Sequence, residues 1–532
     1  MPSLWGEEFV VKTTPNVTKK IIEKINNPKS PQVITEKTLK SKSVPVQEKL
    51  RFIYSEVDRI LGHYRENTLV IRDKDSLISY FDRAIENGII AIDTETDNSL
   101  DPLTCKLMGP CIYTPGMKNA YIPMHHTDSE GNILPSQLTE QDFREQLDRI
   151  DNVKIIMHNG KFDYQVIKCT CGKELSIYWD TFIAARILNE NEYKAGLKEQ
   201  YISKIDSSQE KYDIEHLFEG IEYAFVDPEI FALYAATDSY MTYRLYEWQK
   251  EQFNKPENNG LLNVFMNVEM PVVQVAAEME LTGICIDKEY ADRLSRKIHL
   301  AVDEVDSKIN LELSKYSETI RKWRLSPEAN FHPMSTKKNK YGEFNQQKSK
   351  NEQLMDPPQL TSPTQLAILL YDVLKVDIMD KKSPRGTGEE ILEKINLPIC
   401  KLILEKRGLE KLLNTYIEKL PACVNPVDGR LHAHFNQVGT DTGRFSSSDP
   451  NLQNIPSHHK NIRLMFVADY SYSTINESDN KFIVNKNSEV ETVDGWKLAS
   501  DVVVNDYIVS TEGNLIVKDI LLQDNDVIIF TE

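Results

Sequence analysis

A short apolar run that ends in two carboxylates, Ile89 to Asp97 (IIAIDTETD), most constrains how this chain can fold. An apolar run of this length, bounded by polar residues, predicts a buried β-strand. Because residues i and i+2 of a strand point to the same face, Asp93 and Glu95 are predicted to lie side by side at its end. Adjacent carboxylates repel each other unless a cation lies between them, so the run indicates either a divalent-metal site or an acidic turn at a strand edge.

The composition of the 532-residue chain is that of a soluble protein with several domains. Domains hold about 100–200 residues each, so the length predicts about three or four of them. The longest apolar runs fall short of the about 20 residues that cross a bilayer, and no signal peptide is predicted. Seven scattered cysteines are typical of a reducing cytoplasm. The net charge of −18 argues against non-specific nucleic-acid binding by the whole surface, although an average can hide a basic groove.

Strands and helices alternate in the first half of the chain, which indicates an α/β layer architecture. Strands are predicted at residues 68–72, 89–93, 120–123 and 153–157, and helices at residues 73–87, 139–151 and 231–248. Three further chemistry-bearing residues lie in this region. Asp163 is predicted at a helix start, where an acid is usually a cap. Tyr234 and Asp238 are four residues apart and therefore share one helix face, where a buried acid needs a partner such as a metal.

Three short motifs in this order resemble those of the DnaQ-like 3′–5′ exonucleases: Asp-Thr-Glu-Thr-Asp at 93–97, Asn-x-x-Phe-Asp at 159–163 and Tyr-x-x-x-Asp at 234–238. Asp180-Thr181 and Leu197-Lys198 are similar to the exonuclease domain of family A DNA polymerases. The resemblance implies a ribonuclease H-like domain with two Mg²⁺ ions, or Mn²⁺ in their place, which clamp the attacking and leaving oxygens of a phosphodiester. Tyr234 is expected to orient the attacking water. The implied metal ligands are Asp93, Glu95, Asp163 and Asp238.

The second half of the chain extends the resemblance to the polymerase itself. Residues 268–287 are similar to the opening of the thumb, and residues 357–374 to a segment that leads into a thumb helix. The run TDTGRFSSSDPNLQNIP at 440–456 resembles the family A palm motif, with Phe445 where Leu is commoner. The resemblance therefore covers roughly residues 67–467.

Polar side chains in these segments are expected to bind single-stranded 3′ ends and primer–template duplex DNA. Arg407 and Lys411 lie on a long amphipathic helix over residues 399–420, where they are either duplex contacts or solvated charges. In the palm motif, guanidinium and amide groups can donate to phosphate oxygens and to minor-groove acceptors, which are nearly independent of sequence. The palm residues concerned are Arg444, Asn451, Gln453 and Asn454.

The pattern changes after residue 467. Asp469, in Asp469-Tyr470-Ser471, comes too soon after Phe466 to match the first catalytic palm motif, so it is either a metal ligand or part of a loop. Residues 488–532 contain short β-runs and resemble the start of a Hint (intein-type) domain, or are a small β insertion. No segment resembles the fingers helix or the second palm motif, so we expect no DNA synthesis by this polypeptide alone.

The predicted fold class is an α/β exonuclease domain followed by a mostly α thumb, a partial α+β palm and a small β-rich segment. The predicted function is a 3′–5′ exonuclease within a phage- or prophage-type family A DNA polymerase fragment, in the cytoplasm (the bacterial host's if viral) and without a membrane partner. Two alternatives are half of a split polymerase, which an intein joins to its partner chain or which acts with a separate partner chain, and a non-catalytic DNA-binding remnant. The predicted segments are an N-terminal arm at 1–66, the exonuclease domain at 67–255, the thumb at 256–425 with a polar insertion at 326–359, the palm at 426–487 and the β-rich segment at 488–532.

Overall fold

A computed structural model of the chain describes residues from 44 onwards in the following ranges: 44–128, 130–189, 191, 195–208, 215–218, 220–338, 343–440, 442–467, 473–474, 481–485, 489–492, 495–498, 502, 507–510, 513–523 and 526–531. Asp469 and the predicted N-terminal arm up to residue 43 lie outside them. The described chain divides into two compact units. The first comprises the residues up to Leu281 together with Asn436–Ser446, and the second comprises Thr282–Phe435 and the residues from Ser447.

The first unit is built on a six-stranded sheet with helices packed around it. Its strands are β1 (Thr68–Val70), β2 (Ile89–Thr96), β3 (Leu107–Tyr113), β4 (Asn119–Tyr121), β5 (Lys154–Met157) and β6 (Ile177–Asp180). Its helices are α1 (Val46–Leu61), α2 (Lys74–Asn87), α3 (Glu140–Leu147), α4 (Lys161–Cys171), α5 (Thr181–Leu188), α6 (Leu197–Lys204), α7 (Glu215–Phe218), α8 (Pro228–Phe253), α9 (Asn259–Val264) and α10 (Met270–Thr282). The predicted α/β layers are therefore present.

The order of strands in this sheet is β1-β4-β3-β2-β5-β6. Strand β3 runs antiparallel to both of its neighbours, β2 and β4. The pairs β1–β4, β2–β5 and β5–β6 are parallel. Strand β2, which carries the predicted carboxylates, is therefore central and has a partner on each side.

Local sequence signals fix where the elements around β2 begin and end. Asp73 caps α2 by accepting a hydrogen bond from the Ser76 N–H at 2.8 Å, and Gly88 ends the helix in the left-handed conformation at φ 66°. Thr139 and Asp142 form a reciprocal capping box at the start of α3. Helix α8 packs against strands β1 to β5, and its buried residues include Phe231, Leu233 and Ala235. This helix covers the sheet face on which the site is built.

In the second unit, helices predominate in the part before the strands at the end of the chain. Its helices are α11 (Lys288–Ser314), α12 (Ser317–Arg324), α13 (Lys350–Gln353), α14 (Pro363–Ala367), α15 (Glu389–Leu392), α16 (Pro398–Leu412), α17 (Lys419–Ala422) and α18 (Lys460–Arg463). Its shorter strands are β7 (Ile284–Ile286), β8 (Met334–Lys338), β9 (Phe344–Gln346), β10 (Arg430–Leu431) and β13 (Phe466–Val467), while β11 (His434–Asn436) and β12 (Ser446–Ser448) flank the excursion into the first unit. Within the predicted polar insertion, β8 and β9 pair as an antiparallel hairpin and α13 follows them.

The predicted β-rich character of the end of the chain agrees with the strands described there. A seven-stranded sheet joins β14 (Ser473–Thr474), β15 (Lys481–Asn485), β16 (Glu489–Thr492), β17 (Gly495–Leu498), β18 (Tyr507–Ser510), β19 (Gly513–Gln523) and β20 (Asp526–Thr531). The likeness of this segment to a Hint domain stays a prediction.

Among the described residues, one helical stretch, Pro256–Thr282, has the length and apolar composition to cross a membrane, a test that core helices of soluble proteins also pass.

Candidate metal centre

Strand β2 brings Asp93 and Glu95 together, as the i, i+2 spacing predicts. Asp93 is the register partner of Cys111 in β3, and Glu95 is the partner of Gly109. One carboxylate oxygen of Asp93, one of Glu95 and the Cys111 sulfur all lie within 4.8 Å of one another, which is close enough to share one metal ion. Carboxylate oxygens suit hard cations such as Mg²⁺ and Mn²⁺. Burial raises the pKa of the Cys111 thiol well above its usual range, and the charges of Glu95 and Asp93 add to this effect.

Asp163 reaches this site from the first turn of α4. It is buried, and its Oδ1 accepts hydrogen bonds from the Thr94 N–H at 2.8 Å and from the Thr94 hydroxyl at 2.6 Å. Burial raises the pKa of Asp163 to about 6, although the two bonds from Thr94 act in the opposite direction. Asp163 is not the N-cap of α4, a position that Gly160 holds, and its Oδ1 is bonded to Thr94 of β2.

The other predicted acids act electrostatically on Asp93. Burial raises the pKa of Asp93 well above its usual range, and the charges of Asp163, Glu95 and Asp238 raise it further. Asp163 and Asp238 lie outside the group formed by Asp93, Glu95 and Cys111, but their charges raise the pKa of Asp93. Four carboxyl groups in one place cannot all ionise without protons or cations between them. The donor set of this centre therefore fits divalent metal ions.

Helix α8 supplies Tyr234 and Asp238 one turn apart. Tyr234 is buried, and its ring packs against Phe218 at 5.3 Å and Phe231 at 6.0 Å between centroids. Lys198, near the start of α6, approaches both residues: its Nζ lies 3.8 Å from the Asp238 Oδ2 and 4.9 Å from the centre of the Tyr234 ring. The charge of Lys198 lowers the pKa of Asp93, opposite to the effect of the acids.

Asp180 fixes the turn that leads from β5 into α4. This buried side chain accepts hydrogen bonds from the N–H groups of Asn159 at 3.0 Å and Gly160 at 2.8 Å, and it also caps α5. The turn needs such support because Asn159 is held in the left-handed region at φ 56°. Gly160 cannot carry a side chain here, since an added Cβ would lie 2.4 Å from the Cβ of Met157. Asp180 thereby sets where α4 begins, and hence where Asp163 points.

Among the residues at the centre, Thr94, Cys111 and Asp180 had no role predicted from the sequence. Asp180 had a detectable local signal, because an acid directly before an apolar helix is typical of an N-cap. Cys111 and the contact between Thr94 and Asp163 had none, since both depend on pairing between segments that are distant in sequence.

The residues predicted to bind DNA lie on three separate segments. Arg407 is partly buried on α16, and its Nη1 donates to the Thr387 carbonyl at 2.6 Å, whereas Lys411 is exposed on the same helix. Arg444 is exposed in the excursion that belongs to the first unit. Asn451, Gln453 and Asn454 are exposed in the loop after β12. The structure thus leaves five of the six side chains accessible, and their DNA contacts stay a prediction.

Two parts of the chain match known protein families. Residues 69–252 match a 3′–5′ exonuclease family, and residues 334–483 match DNA polymerase family A. DNA polymerase I of Treponema pallidum is 30% identical over 463 residues, which cover 78% of this chain and 41% of that protein. DNA polymerase I of Chloroflexus aurantiacus is 30% identical over 421 residues, covering 75% and 39%. The chain therefore spans about two fifths of the length of these curated relatives.

A solved structure shares the fold over a similar extent. The POL domain of Pol1 from M. smegmatis, in complex with a DNA primer-template and dNTP, aligns with a TM-score of 0.55 at 17% sequence identity. The alignment covers 79% of this chain and 61% of that one. At this level of identity the likeness concerns the fold alone, which is polymerase-like with mixed α and β content.

Proposed function

Because residues 69–252 match a 3′–5′ exonuclease family and residues 334–483 match DNA polymerase family A, we propose that the chain is part of a family A DNA polymerase. Its first unit is then a metal-dependent exonuclease that removes nucleotides from DNA 3′ ends. The observation that carries this proposal is the convergence of Asp93, Glu95, Asp163 and Asp238, since the charges of the other three acids raise the proton affinity of Asp93. The strand order β4-β3-β2-β5-β6, with β3 antiparallel, supports the ribonuclease H-like architecture expected for such a domain.

The chemistry of this proposal follows from the donor set. Two divalent cations, Mg²⁺ or Mn²⁺, would supply a hydroxide nucleophile near neutral pH and stabilise both oxygens of the displacement. Asp93 and Glu95 would hold cations through adjacent oxygens, and Asp163 and Asp238 would complete the set. The Thr94 bonds fix Asp163, and the packing of Phe218 and Phe231 fixes the ring of Tyr234, whose hydroxyl would orient the attacking water.

Degradation of a single-stranded oligonucleotide that carries a label at its 5′ end tests the proposal. With Mg²⁺ or Mn²⁺ we expect a ladder of labelled products that shorten from the 3′ end, and no products with a chelator. Asp93→Ala should lower the rate by more than about a hundredfold, because even residues that only support metal ligands cost about 10–100-fold. Asp75→Ala, at an exposed position of α2, is the control and should keep the wild-type rate.

Two results would contradict this assignment. One is metal-dependent shortening by Asp93→Ala at the wild-type rate, and the other is release of the 5′ label as the first product.

For the second unit and residues 436–446 we propose duplex DNA binding through the exposed side chains of the palm motif and of α16. The support is their accessibility together with their capacity to donate hydrogen bonds to phosphates and minor-groove acceptors. The dependence of duplex binding on salt concentration is the measurement that tests it.

A further inference from the structure

Lys198 is a cation that the structure places against the acids of the metal centre. It is the second residue of α6, and only 15% of its side chain is exposed. Its ammonium group faces Asp238 and Tyr234 on α8, and its charge acts on Asp93 of β2. One flexible side chain therefore reaches groups from both elements that build the centre.

The ion pair between Lys198 and Asp238 is long. At 3.8 Å, the separation of Nζ and Oδ2 exceeds that of a charge-assisted hydrogen bond, which is about 2.7–2.9 Å. Lysine carries its charge on a four-carbon stem with several rotatable bonds, so the ammonium group can move by a few ångströms at low cost. This contact is suited to a partner that is exchanged rather than to a permanent one.

Charge balance indicates which group would replace Asp238 as the partner of the Lys198 ammonium group. Without metal, an ammonium group that lies against Asp238 and acts on Asp93 offsets part of the repulsion among the carboxyl groups. A divalent cation on the same carboxylates would repel the ammonium group and compete with it. A phosphate that enters the centre with the metal would attract the ammonium group. The phosphate brings a negative charge that replaces the carboxylate charge now neutralised by the metal.

We propose that Lys198 is a further substrate-binding residue of the exonuclease centre, whose ammonium group pairs with Asp238 in the metal-free protein and with a phosphate of the 3′-terminal nucleotide when metal is bound. This inference rests on the proposed function and adds to it. The competing explanation is that Lys198 only supports the ring of Tyr234, against which it lies at 4.9 Å.

Two binding titrations on the full chain separate these explanations. The first measures Mn²⁺ affinity from the signal of the free ion. Lys198→Met removes the competing charge, so Mn²⁺ should bind about tenfold more tightly, within the usual range of coupling between two sites. The second measures the binding of a 2′-deoxynucleoside 5′-monophosphate, the product of the proposed reaction, with Mn²⁺ present. Here the same variant should bind about tenfold more weakly, since it lacks a charge-assisted contact to phosphate.

The opposite signs of the two effects are the diagnostic result. A variant that had merely disturbed the structure of the centre would bind both Mn²⁺ and the monophosphate more weakly. Lys198→Arg should restore monophosphate binding at least in part, because it keeps the charge. The matched control is Lys204→Met on the same helix, whose Nζ lies 5.9 Å from the Trp248 ring, and it should leave both titrations unchanged. If Lys198→Met does not fold, as judged by its thermal melt, Lys198→Gln serves in its place.

The inference is overturned if the neutral variants bind Mn²⁺ and the monophosphate as the wild type does, or bind both more weakly. Its failure is distinguishable from failure of the proposed function. A wild-type chain that binds both ligands with the expected dependence on Lys198, but shortens no DNA, would contradict the exonuclease and leave the role of Lys198 in place.

Discussion

His126 joins the sheet of the first unit to the start of α8, the helix that carries Tyr234 and Asp238. Its ring is fully buried, with Nδ1 2.8 Å from the Val226 carbonyl oxygen and Nε2 2.7 Å from the Tyr121 hydroxyl. Because a carbonyl only accepts, Nδ1 carries the proton and donates it, and in the neutral ring Nε2 accepts from the hydroxyl. Burial lowers the pKa of His126 to about 4, from an ordinary value of 6.5.

This depressed pKa predicts a pH dependence of stability. Between the two pKa values the unfolded chain binds a proton that the folded chain does not, so stability is fully present above about pH 6.5 and falls as the pH decreases towards 4. By about pH 5 the loss should be about 2 kcal/mol. Thermal melts of the wild type and of His126→Gln at about pH 7.5 and about pH 5 measure it, because the variant lacks this proton-linked term.

The control for this prediction is His63→Gln, because His63 is exposed. The difference in melting temperature between wild type and His126→Gln should shrink as the pH falls, whereas the difference for His63→Gln should stay constant. A difference for His126→Gln that is independent of pH would contradict the prediction.

Single residues were predictable from the sequence where their chemistry was local. The i, i+2 spacing of Asp93 and Glu95 and the i, i+4 spacing of Tyr234 and Asp238 are properties of an isolated strand and an isolated helix. Lys198 was noticed only as part of a family resemblance, and its approach to Asp238 was not predicted. That approach depends on how α6 packs against α8, which no short stretch of sequence contains.

At the scale of elements, strand β3 was the main one that the sequence analysis did not predict. It contains Gly109 and Pro110, two residues that normally mark turns or edge strands. Its place in the sheet explains the glycine, because an added Cβ on Gly109 would lie 2.2 Å from the Ile122 carbonyl oxygen. Pro110 pairs with Thr94 of β2, and its carbonyl accepts from the Ile122 N–H at 3.0 Å. The close approach of neighbouring backbone at Gly109 depends on the sheet, so the local signal did not reveal the strand.

The turn between β5 and α4 yields a prediction at the same scale. Asp180→Asn replaces an acceptor oxygen with an N–H group opposite the Gly160 N–H, which lies 2.8 Å from the Asp180 Oδ2. The buried N–H would lose its partner, at a cost of about 1–3 kcal/mol in the free energy of unfolding. Because α4 would then start differently, the exonuclease rate should also fall. This fall should be measurable at temperatures well below the melting temperature, where the variant is folded. Thermal melts and the oligonucleotide assay measure the two effects.

Asp73→Asn is the matched control for this change. Asp73 also caps a helix through a backbone N–H, but it is exposed at the start of α2, and Asn is an equally good N-cap there. Its stability and rate should stay close to those of the wild type. The positioning role of Asp180 is refuted if Asp180→Asn proves as mild as Asp73→Asn, or if it loses stability while keeping the full rate.

At the scale of the whole molecule, the extent of the family A resemblance was predictable, whereas the division into compact units was not. The five predicted segments follow the chain in order, but residues 436–446 belong with the first unit. There, Gln437 donates to the Glu269 carbonyl at 3.0 Å and to its carboxylate at 2.7 Å, and the Arg186 Nε donates to the Val438 carbonyl at 3.2 Å. These contacts join residues more than 160 positions apart, so no local pattern announces them.

The net charge of −18 raises the question of how this molecule would hold duplex DNA at all. Its long-range field repels a polyanion, so binding must come from a few local cations and from neutral donors. Among the predicted contacts, Arg444 and Lys411 are exposed cations and Gln453 is an exposed neutral donor. These two kinds of contact differ in how they respond to salt, because only a cation that neutralises a phosphate releases counterions.

Primer–template binding, measured by fluorescence anisotropy over a series of salt concentrations, should therefore separate the two kinds of contact. Arg444→Ala and Lys411→Ala should each weaken binding and reduce the slope of log K against log salt by about 1. Gln453→Ala should weaken binding without changing the slope. Exposed Lys401→Ala, on α16 but outside the predicted set, is the control. If Arg444→Ala and Lys411→Ala shift neither the affinity nor the slope, the proposal that these segments bind duplex DNA is wrong. The proposed exonuclease centre would then be the part of the chain that binds DNA.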